Sequence, residues 1–327
     1  MEEIAKVKIA PFRRWKPTSL QSEGSHFSVV QYNALARSFA DAKSFPYVDE
    51  ATLDYEQRKH RILLQVLDPA VVGMPPHLIA MEEMEEDDYN NFFLEEFKKK
   101  GYASRFHAKR DGHKDGCMIA WQTATFIRAR GRYVPDFGTG VHVGDLPGKS
   151  QIYIYVDLIH AITGRCIRFA ATHFKAKVGH EEVRLQQAKA IVEHMKGDYK
   201  SGGDCSYDEL ILCGDFNDVP SSLFYNYLQG QEDLPMESCY VKFPSDYNLD
   251  AEEDESPLTY SHEAPFTTYK KRDTTIRRTI DYIWATKGLS PTAVLDIKDD
   301  CIRDKGLPNC FYPSDHMLIG AALRFAE

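Results

Sequence analysis

Short apolar runs that stop at an acid, an amide or an imidazole recur along this chain, and that recurrence limits the fold more than any single motif. The clearest spans residues 210–220, Leu-Ile-Leu-Cys-Gly-Asp-Phe-Asn-Asp-Val-Pro, where the apolar part ends in Asp215 and Asn217. In extended chain, alternate residues share a face, so these two side chains are expected to project together from the end of a buried strand. Pro220 and Ser221-Ser222 then stop the strand and open a helix. Taken alone, Gly-Asp before a helix needs no more than a turn and an N-cap. Repetition gives the pattern its meaning.

In chain order, the first core strand covers residues 26–32 and ends at Asn33. Residues 49–68 read as one helix with Ile62, Leu63, Val66 and Leu67 in a stripe, ended by Pro69. Pro75-Pro76 leads into a strand over 77–81 that terminates in Glu82-Glu83. Residues 87–100 form an amphipathic helix with Phe93, Leu94 and Phe97 inward, and Lys98 to Lys100 at its end suit the helix dipole as a solvated terminus. Residues 117–121 and 125–127 read as a strand pair with Asp115-Gly116 as the preceding turn. The glycine-rich stretch 131–150 is expected to be a surface loop.

Strands over 151–158 and 168–172, joined by a turn at 163–165, bring the chain to His173, followed by Phe174-Lys175-Ala176-Lys177. A helix with Leu185, Ala188, Val192 and Met195 on one face comes next. Residues 279–284 alternate as a strand with Asp281 on one face, and Asp315-His316 precede a terminal strand over 317–325. A lone histidine is more often a structural hydrogen-bonding residue, and Asp281 could be an edge-strand charge. That so many strand ends finish in such side chains points instead to one site.

The 327 residues, 43% of them apolar and 12% aromatic, suffice for a sizeable core. A net charge of −9 gives no global attraction for nucleic acid or an anionic membrane, so anion binding must use local patches. Two basic runs supply them, Lys98, Lys99, Lys100, Arg105, Lys109, Arg110 and Lys114, then Lys270, Lys271, Arg272, Arg277 and Arg278. Acidic blocks near residues 82–88 and 250–255 balance these runs. The seven cysteines form no CxxC pair and follow no secretory signal, which reads as a reducing compartment, and no apolar run approaches a membrane span. A cytoplasmic protein is expected. Without a cysteine or histidine cluster at zinc spacing, the hard oxygens of Glu83 and Asp315 point to Mg²⁺ or Mn²⁺.

Gln31-Tyr32-Asn33, Met81-Glu82-Glu83, Asp115-Gly116-Cys117, Thr172-His173, Gly214-Asp215-Phe216-Asn217, Ile280-Asp281-Tyr282-Ile283 and Pro313-Ser314-Asp315-His316 together resemble the ordered motif set of the endonuclease/exonuclease/phosphatase superfamily. Within it the chain is most similar to the deadenylase-like branch that includes nocturnin. The resemblance implies a DNase I-like, four-layer α/β sandwich of two packed, largely antiparallel sheets flanked by helices. It would form one catalytic domain over residues 26–327 behind an N-terminal arm over 1–25. It also implies roles: Glu83 as main metal ligand with Asn33 and Asp315 nearby, and Asp215 and Asn217 orienting the attacking water and holding the scissile phosphate. His173 would stabilise charge on the phosphoryl oxygens, and His316, oriented by Asp281, would complete the acid–base apparatus.

Substrate choice turns on His173-Phe174-Lys175-Ala176-Lys177, which is similar to the His-Leu-Lys-Ala-Arg of nocturnin-like members. Lys175 and Lys177 suit a substrate with an additional phosphate, which implies removal of the 2′-phosphate of NADP(H), although lysine cannot reproduce a bidentate guanidinium contact. The competing implication is a 3′–5′ exoribonuclease acting on poly(A)-like RNA, with bases stacking on Phe266 or Tyr269 and the basic runs guiding the backbone. Core packing is the alternative for both rings. A catalytically silent nucleic-acid-binding scaffold would require loss of Glu83, Asp215, Asn217 or His316, and all four are present. Glu82 departs from the glutamine usual before the metal glutamate, and an added charge there would raise a neighbour's pKa or disfavour a polyanion. Neither a membrane nor a stable protein partner is expected.

Overall fold

Strands buried on both faces need continuous apolar runs rather than alternation, and the runs read from the sequence are of that kind. The computed structural model describes residues 13–16, 26–129, 141–148, 150–203, 206–243, 262–271, 274–297, 302 and 305–326. One seven-stranded sheet has the order β1 (Trp15–Lys16), β15 (Leu289–Leu295), β16 (Ile319–Phe325), β2 (His26–Asn33), β3 (Leu78–Glu85), β5 (Asp115–Gln122) and β4 (Tyr102–Ala108). The second has the order β11 (Met236–Ser238), β14 (Asp281–Thr286), β10 (Glu209–Asp215), β9 (Cys166–His173), β8 (Ile152–His160) and β6 (Phe126–Arg128), with β7 (Val141–Asp145) also on β8. A separate pair joins β12 (Thr268–Lys271) to β13 (Thr275–Arg278). Every neighbour is antiparallel except β2 with β3 and β9 with β10. These parallel pairs require crossovers, which the helices Tyr55–Leu67 and Glu181–Lys196 supply.

The sheets pack face to face over Ile79, Met81, Ile119, Ile154, Phe169, Ile211 and Ile283. Outside the second sheet, Ala188, Ile191, Val192 and Met195 of helix Glu181–Lys196 and Phe224 and Leu228 of helix Leu223–Gln229 cover Leu210, Leu212, Tyr282 and Trp284. Outside the first, Ile62 and Val66 join Phe93 and Phe97. The result is the four-layer α/β sandwich. Among the described residues, no helix is long and apolar enough to cross a membrane.

Local expectations fare unevenly. The helix expected over 49–68 is three, Glu50–Leu53, Tyr55–Leu67 and Pro69–Val72. Asp49, Asp54 and Asp68 each accept a hydrogen bond from a first-turn N–H, and Pro69, expected to end a helix, opens the last one, where its missing N–H costs nothing. Residues 117–121 and 125–127 are not a pair: β5 lies between β3 and β4, while β6 joins β8 in the other sheet. Asp115-Gly116 is not a turn but the start of β5, and a Cβ on Gly116 would stand 2.0 Å from the His107 carbonyl oxygen. Within the stretch expected to be a loop, 141–145 form β7, while 130–140 and 149 lie outside the described residues, as does the acidic loop near 250. Of the expected arm over 1–25, residues 13–16 are described: Trp15–Lys16 pair with β15, and Arg13 is fully buried.

Arg58 ties two corners of the molecule together. Its side chain is completely buried, with Nη2 donating to the carbonyls of Ala34 (2.9 Å) and Leu35 (2.6 Å) and Nε donating to that of Pro313 (2.8 Å). Arg58→Met leaves three buried carbonyls without a donor, so urea unfolding should show a loss of about 3 kcal/mol. A loss below about 0.5 kcal/mol, the level of an ordinary surface substitution, would refute the bracing role.

Candidate active site

Strand register does most of the assembly. Asp215, the last residue of β10, faces His173 of β9 on one side and Asp281 of β14 on the other. In the other sheet Asn33 lies opposite Glu82, and the register of β3 against β5 shifts between Glu82 and Met84, leaving Glu83 at a bulge. The bulge turns Glu83 towards Asn33, whose Nδ2 donates to Glu83 Oε1 (3.2 Å) and Asp215 Oδ2 (3.0 Å). Leu35, Glu83, Lys177 and Asn217, four of the seven described non-glycine residues with positive φ, belong to these corners. Backbone strain of this kind collects where a site fixes its side chains.

Asp215 is the centre. Its Oδ1 accepts from the Asn217 backbone N–H (2.9 Å), and its Oδ2 lies 3.6 Å from His173 Nε2 and 3.8 Å from His316 Nε2. Burial, reinforced by Asp281, pushes its carboxyl up to about 7. His316 Nδ1 donates to Asp281 Oδ2 (2.8 Å), which also accepts from Thr267 Oγ1 (2.6 Å). Burial opposes a charge on His316, but Asp281, Asp315 and Asp215 outweigh it and raise its pKa to about 10. This imidazole is therefore a cation at neutral pH.

His173 is not the cation of its corner. Burial, then the charges of Lys109, His316 and Lys270, hold its pKa well below the ordinary value, so the ring is neutral. Lys109 Nζ, 3.1 Å from Nδ1, is the donor there, which assigns the proton to Nε2 on the side of Asp215. The cation at this corner is thus Lys109, buried and paired with Asp115 at 2.6 Å.

Asp315 also departs from expectation. Lys270 Nζ lies 2.5 Å from its Oδ2, and although burial would raise the carboxyl, Lys270 and His316 hold it at about 2. Among the described residues, the groupings close enough to share an ion are Glu83, His173 and Asp215, and Asp215, Asp281 and His316, each with ligand atoms within 4.8 Å. Asp315 belongs to neither. Asn33 turns its amide nitrogen to the carboxylates while its oxygen accepts from the Leu35 N–H (3.0 Å), so it orients acids rather than offering a ligand oxygen.

The second strand-end side chain, Asn217, leaves the strand line, because β10 ends at Asp215 and Asn217 has φ 53°. Its Nδ2 donates to the Phe174 carbonyl (3.1 Å), joining the Asp215 corner to the His173 corner. Lys175 is half-buried and Lys177 exposed on the turn that follows, and among the described residues neither ammonium has an ion pair. Phe266 and Tyr269 are 0% and 3% exposed, packed edge-to-face at 6.1 Å beneath the Arg277 guanidinium. Of the two readings the sequence allowed, burial favours core packing. Glu82 is fully buried; burial and Asp281 push its carboxyl well up, and Gln31 Nε2 bridges Glu82 Oε2 (2.7 Å) and Asp281 Oδ1 (3.0 Å). Burial thus favours the uncharged form of Glu82, which has the shape of a carboxamide.

Gln31, Lys109, Thr267 and Lys270 do not stand out in the sequence as site residues. Gln31 lies inside one of the strand-end motifs and the two lysines inside basic runs, but their partners are remote in the chain, and spacing carries no sign of them.

The model of the endonuclease/exonuclease/phosphatase family matches residues 30–316. Nocturnin of Xenopus laevis is 29% identical over 327 residues, covering 94% of this chain and 76% of its own length. The CCR4-Not complex 3′-5′-exoribonuclease subunit Ccr4 of Saccharomyces cerevisiae is 24% identical over 337 residues, covering 92% of this chain and 39% of its own length. Among solved structures, that of ANGEL2, a 2′,3′-cyclic phosphatase, in complex with adenosine-2′,3′-vanadate shares the fold with a TM-score of 0.74 at 20% identity, covering 96% of this chain and 98% of that one.

Proposed function

The chain belongs to the endonuclease/exonuclease/phosphatase family, hydrolases of phosphoester bonds, and on that premise we propose that it removes the 2′-phosphate of NADP(H). The observation that carries this reading is the placement of Lys175 and Lys177, two cations without an ion pair among the described residues, on a turn that begins at His173. The similarity to nocturnin over most of the chain supports it. The family's divalent-metal dependence fits the residues: Glu83 and Asp215 bring two hard carboxylate oxygens into one small group, beside which His173 stands as an N–H donor and not a ligand. They would hold Mg²⁺ or Mn²⁺, which supplies charge neutralisation at the phosphoryl oxygens and an acidified water.

The remaining work falls to side chains of this chain. Asp215, with Oδ2 facing both His173 and His316, is placed to take a proton from water. His316, kept cationic by Asp281, faces the same carboxylate and neutralises or protonates the departing oxygen. Asn217 holds the two loops in register, and Lys109 and Lys270, each paired with an aspartate, bring positive charge to the His173 and Asp315 corners. Cys117, Cys213 and Cys239 are buried free thiols, which supports a reducing, cytoplasmic setting.

The resemblance to Ccr4 favours a second reading, 3′–5′ hydrolysis of RNA. Purified protein with Mg²⁺, assayed in parallel on NADP(H) and labelled poly(A), separates the two. Phosphate should be released from NADP(H), and Lys175→Ala/Lys177→Ala should lower kcat/KM about a hundredfold, as expected for two charge-assisted contacts. RNA shortening without phosphate release would reject the phosphatase. Equal losses on both substrates would remove the reason for preferring the dinucleotide.

A further inference from the structure

We propose that Arg184 is a specificity-determining positioning residue: it fixes the backbone that presents Lys175 and Lys177, and so sets where an additional phosphate of the substrate is held. The inference rests on the phosphoesterase reading above and assigns a role to a side chain outside every strand-end motif of the site.

The apolar spacing of helix Glu181–Lys196 predicts a buried face of Leu185, Ala188, Val192 and Met195. The helix buries Arg184, Gln187, Ala188, Ile191, Val192 and Met195 instead. The stripe keeps helical spacing, but its first turn is polar because it overhangs the loop that leaves His173. Arg184 is 2% exposed. One guanidinium nitrogen, Nη1, donates to the carbonyls of both Lys175 (3.0 Å) and Lys177 (2.9 Å), and Nε donates to Asp218 Oδ2 (2.9 Å). Gln187 completes the clamp: its Oε1 accepts from the Lys175 N–H (3.0 Å) and its Nε2 donates to the Pro147 carbonyl (2.7 Å).

The loop needs holding. Lys177 sits at φ 78°, a left-handed conformation that strains a non-glycine residue, and Arg184 bonds the carbonyl of that same residue. The other end of the clamp is one residue beyond Asn217, and the loop's own start is tied to the same corner by Phe174 N–H to the Asp215 carbonyl (2.9 Å). A planar guanidinium spans two carbonyls and a carboxylate with donors fixed on separate nitrogens, a spread that the single nitrogen of an ammonium lacks. Arg184 therefore transmits the position of the Asp215 corner to the two lysines.

The test uses the full chain, with Arg184→Met and Arg184→Lys made in the native sequence and in Lys175→Ala/Lys177→Ala. Inorganic sulfate is the probe, its inhibition constant measured against whichever adenylate substrate the protein turns over, with KM, kcat and thermal midpoints recorded. Arg184→Met should raise the sulfate inhibition constant and KM about tenfold, roughly one charge-assisted hydrogen bond, with Arg184→Lys in between and kcat changing far less. In the Lys175→Ala/Lys177→Ala background the same change should have less than about a twofold effect, because coupled sites are not additive. An effect of equal size in both backgrounds, or a fall in kcat with sulfate inhibition unmoved, would overturn the proposal. If Arg184→Met fails to fold, Arg184→Lys in the two backgrounds separates the same outcomes. Should the protein cleave oligoadenylate and leave NADP(H) intact, the 2′-phosphatase reading falls, while sulfate inhibition of oligoadenylate cleavage still decides the role of Arg184.

Discussion

Asp215→Asn should lower kcat by about 10³- to 10⁴-fold on any phosphoester substrate, because it removes a proton acceptor and a candidate metal ligand in one change. The same substitution should make the metal-free protein more stable. Burial and Asp281 raise Asp215 to about 7 in the fold against an ordinary value of 3.8. The folded chain therefore binds a proton that the unfolded chain releases, and stability falls as pH rises from about 4 through about 7, by roughly 4 kcal/mol once both are crossed. Asparagine keeps the shape and removes the charge, so the loss does not occur in the variant. Urea unfolding of metal-free wild type and variant at pH 5 and pH 8 should show the variant's advantage growing at the higher pH. Mg²⁺ should then stabilise the wild type more than the variant. A variant that is less stable than wild type at both pH values would show that the carboxylate cluster is not strained as described.

Asp281→Asn should move the alkaline limit of activity. The carboxylate of Asp281 accepts from His316 Nδ1, Thr267 Oγ1 and Gln31 Nε2, and it is the largest of the charges that lift His316 to about 10 against the burial that opposes them. A group raised in this way keeps its proton up to its folded pKa, so the wild type should hold its activity from neutral pH to about 9. Without the Asp281 charge, burial and the remaining carboxylates contend on more equal terms, and the ring should deprotonate near or below neutrality. At pH 8 the loss in kcat/KM should be about a hundredfold, shrinking towards pH 6. The full pH–rate profile checks this. A loss of the same size at every pH would mean that Asp281 orients His316 without tuning its charge.

Much of this architecture is legible in the residues. The apolar runs that form β2, β3, β9, β10 and β14 are buried on both faces, and a strand in that position leaves its signature in composition, not in tertiary detail. β4 leaves no such signature because its residues are mostly half-buried, which dilutes the apolar signal. The true partners of β5 are hidden because neighbours in sequence need not be neighbours in a sheet. The single helix expected over 49–68 is too long for a related reason. Asp54 and Asp68 act as caps, and the apolar stripe does not register such local hydrogen bonds.

The candidate site divides in the same way. Residue type and place along the chain already mark Asn33, Glu83, His173, Asp215, Asn217, Asp281 and His316, because each stands at or near one end of an apolar run, but a strand end by itself places only Asn33, His173 and Asp215, while a bulge turns Glu83 and the loop beyond β10 carries Asn217. Charge state and partnership belong to the tertiary structure. It alone makes His173 neutral beside Lys109, pairs Asp315 with Lys270, shifts Glu82 towards its uncharged form by burial and hides Phe266 and Tyr269. Each of these depends on the distance to a group far away in the chain and on the loss of water around it. Periodicity carries neither quantity, whereas the packing of two sheets creates both.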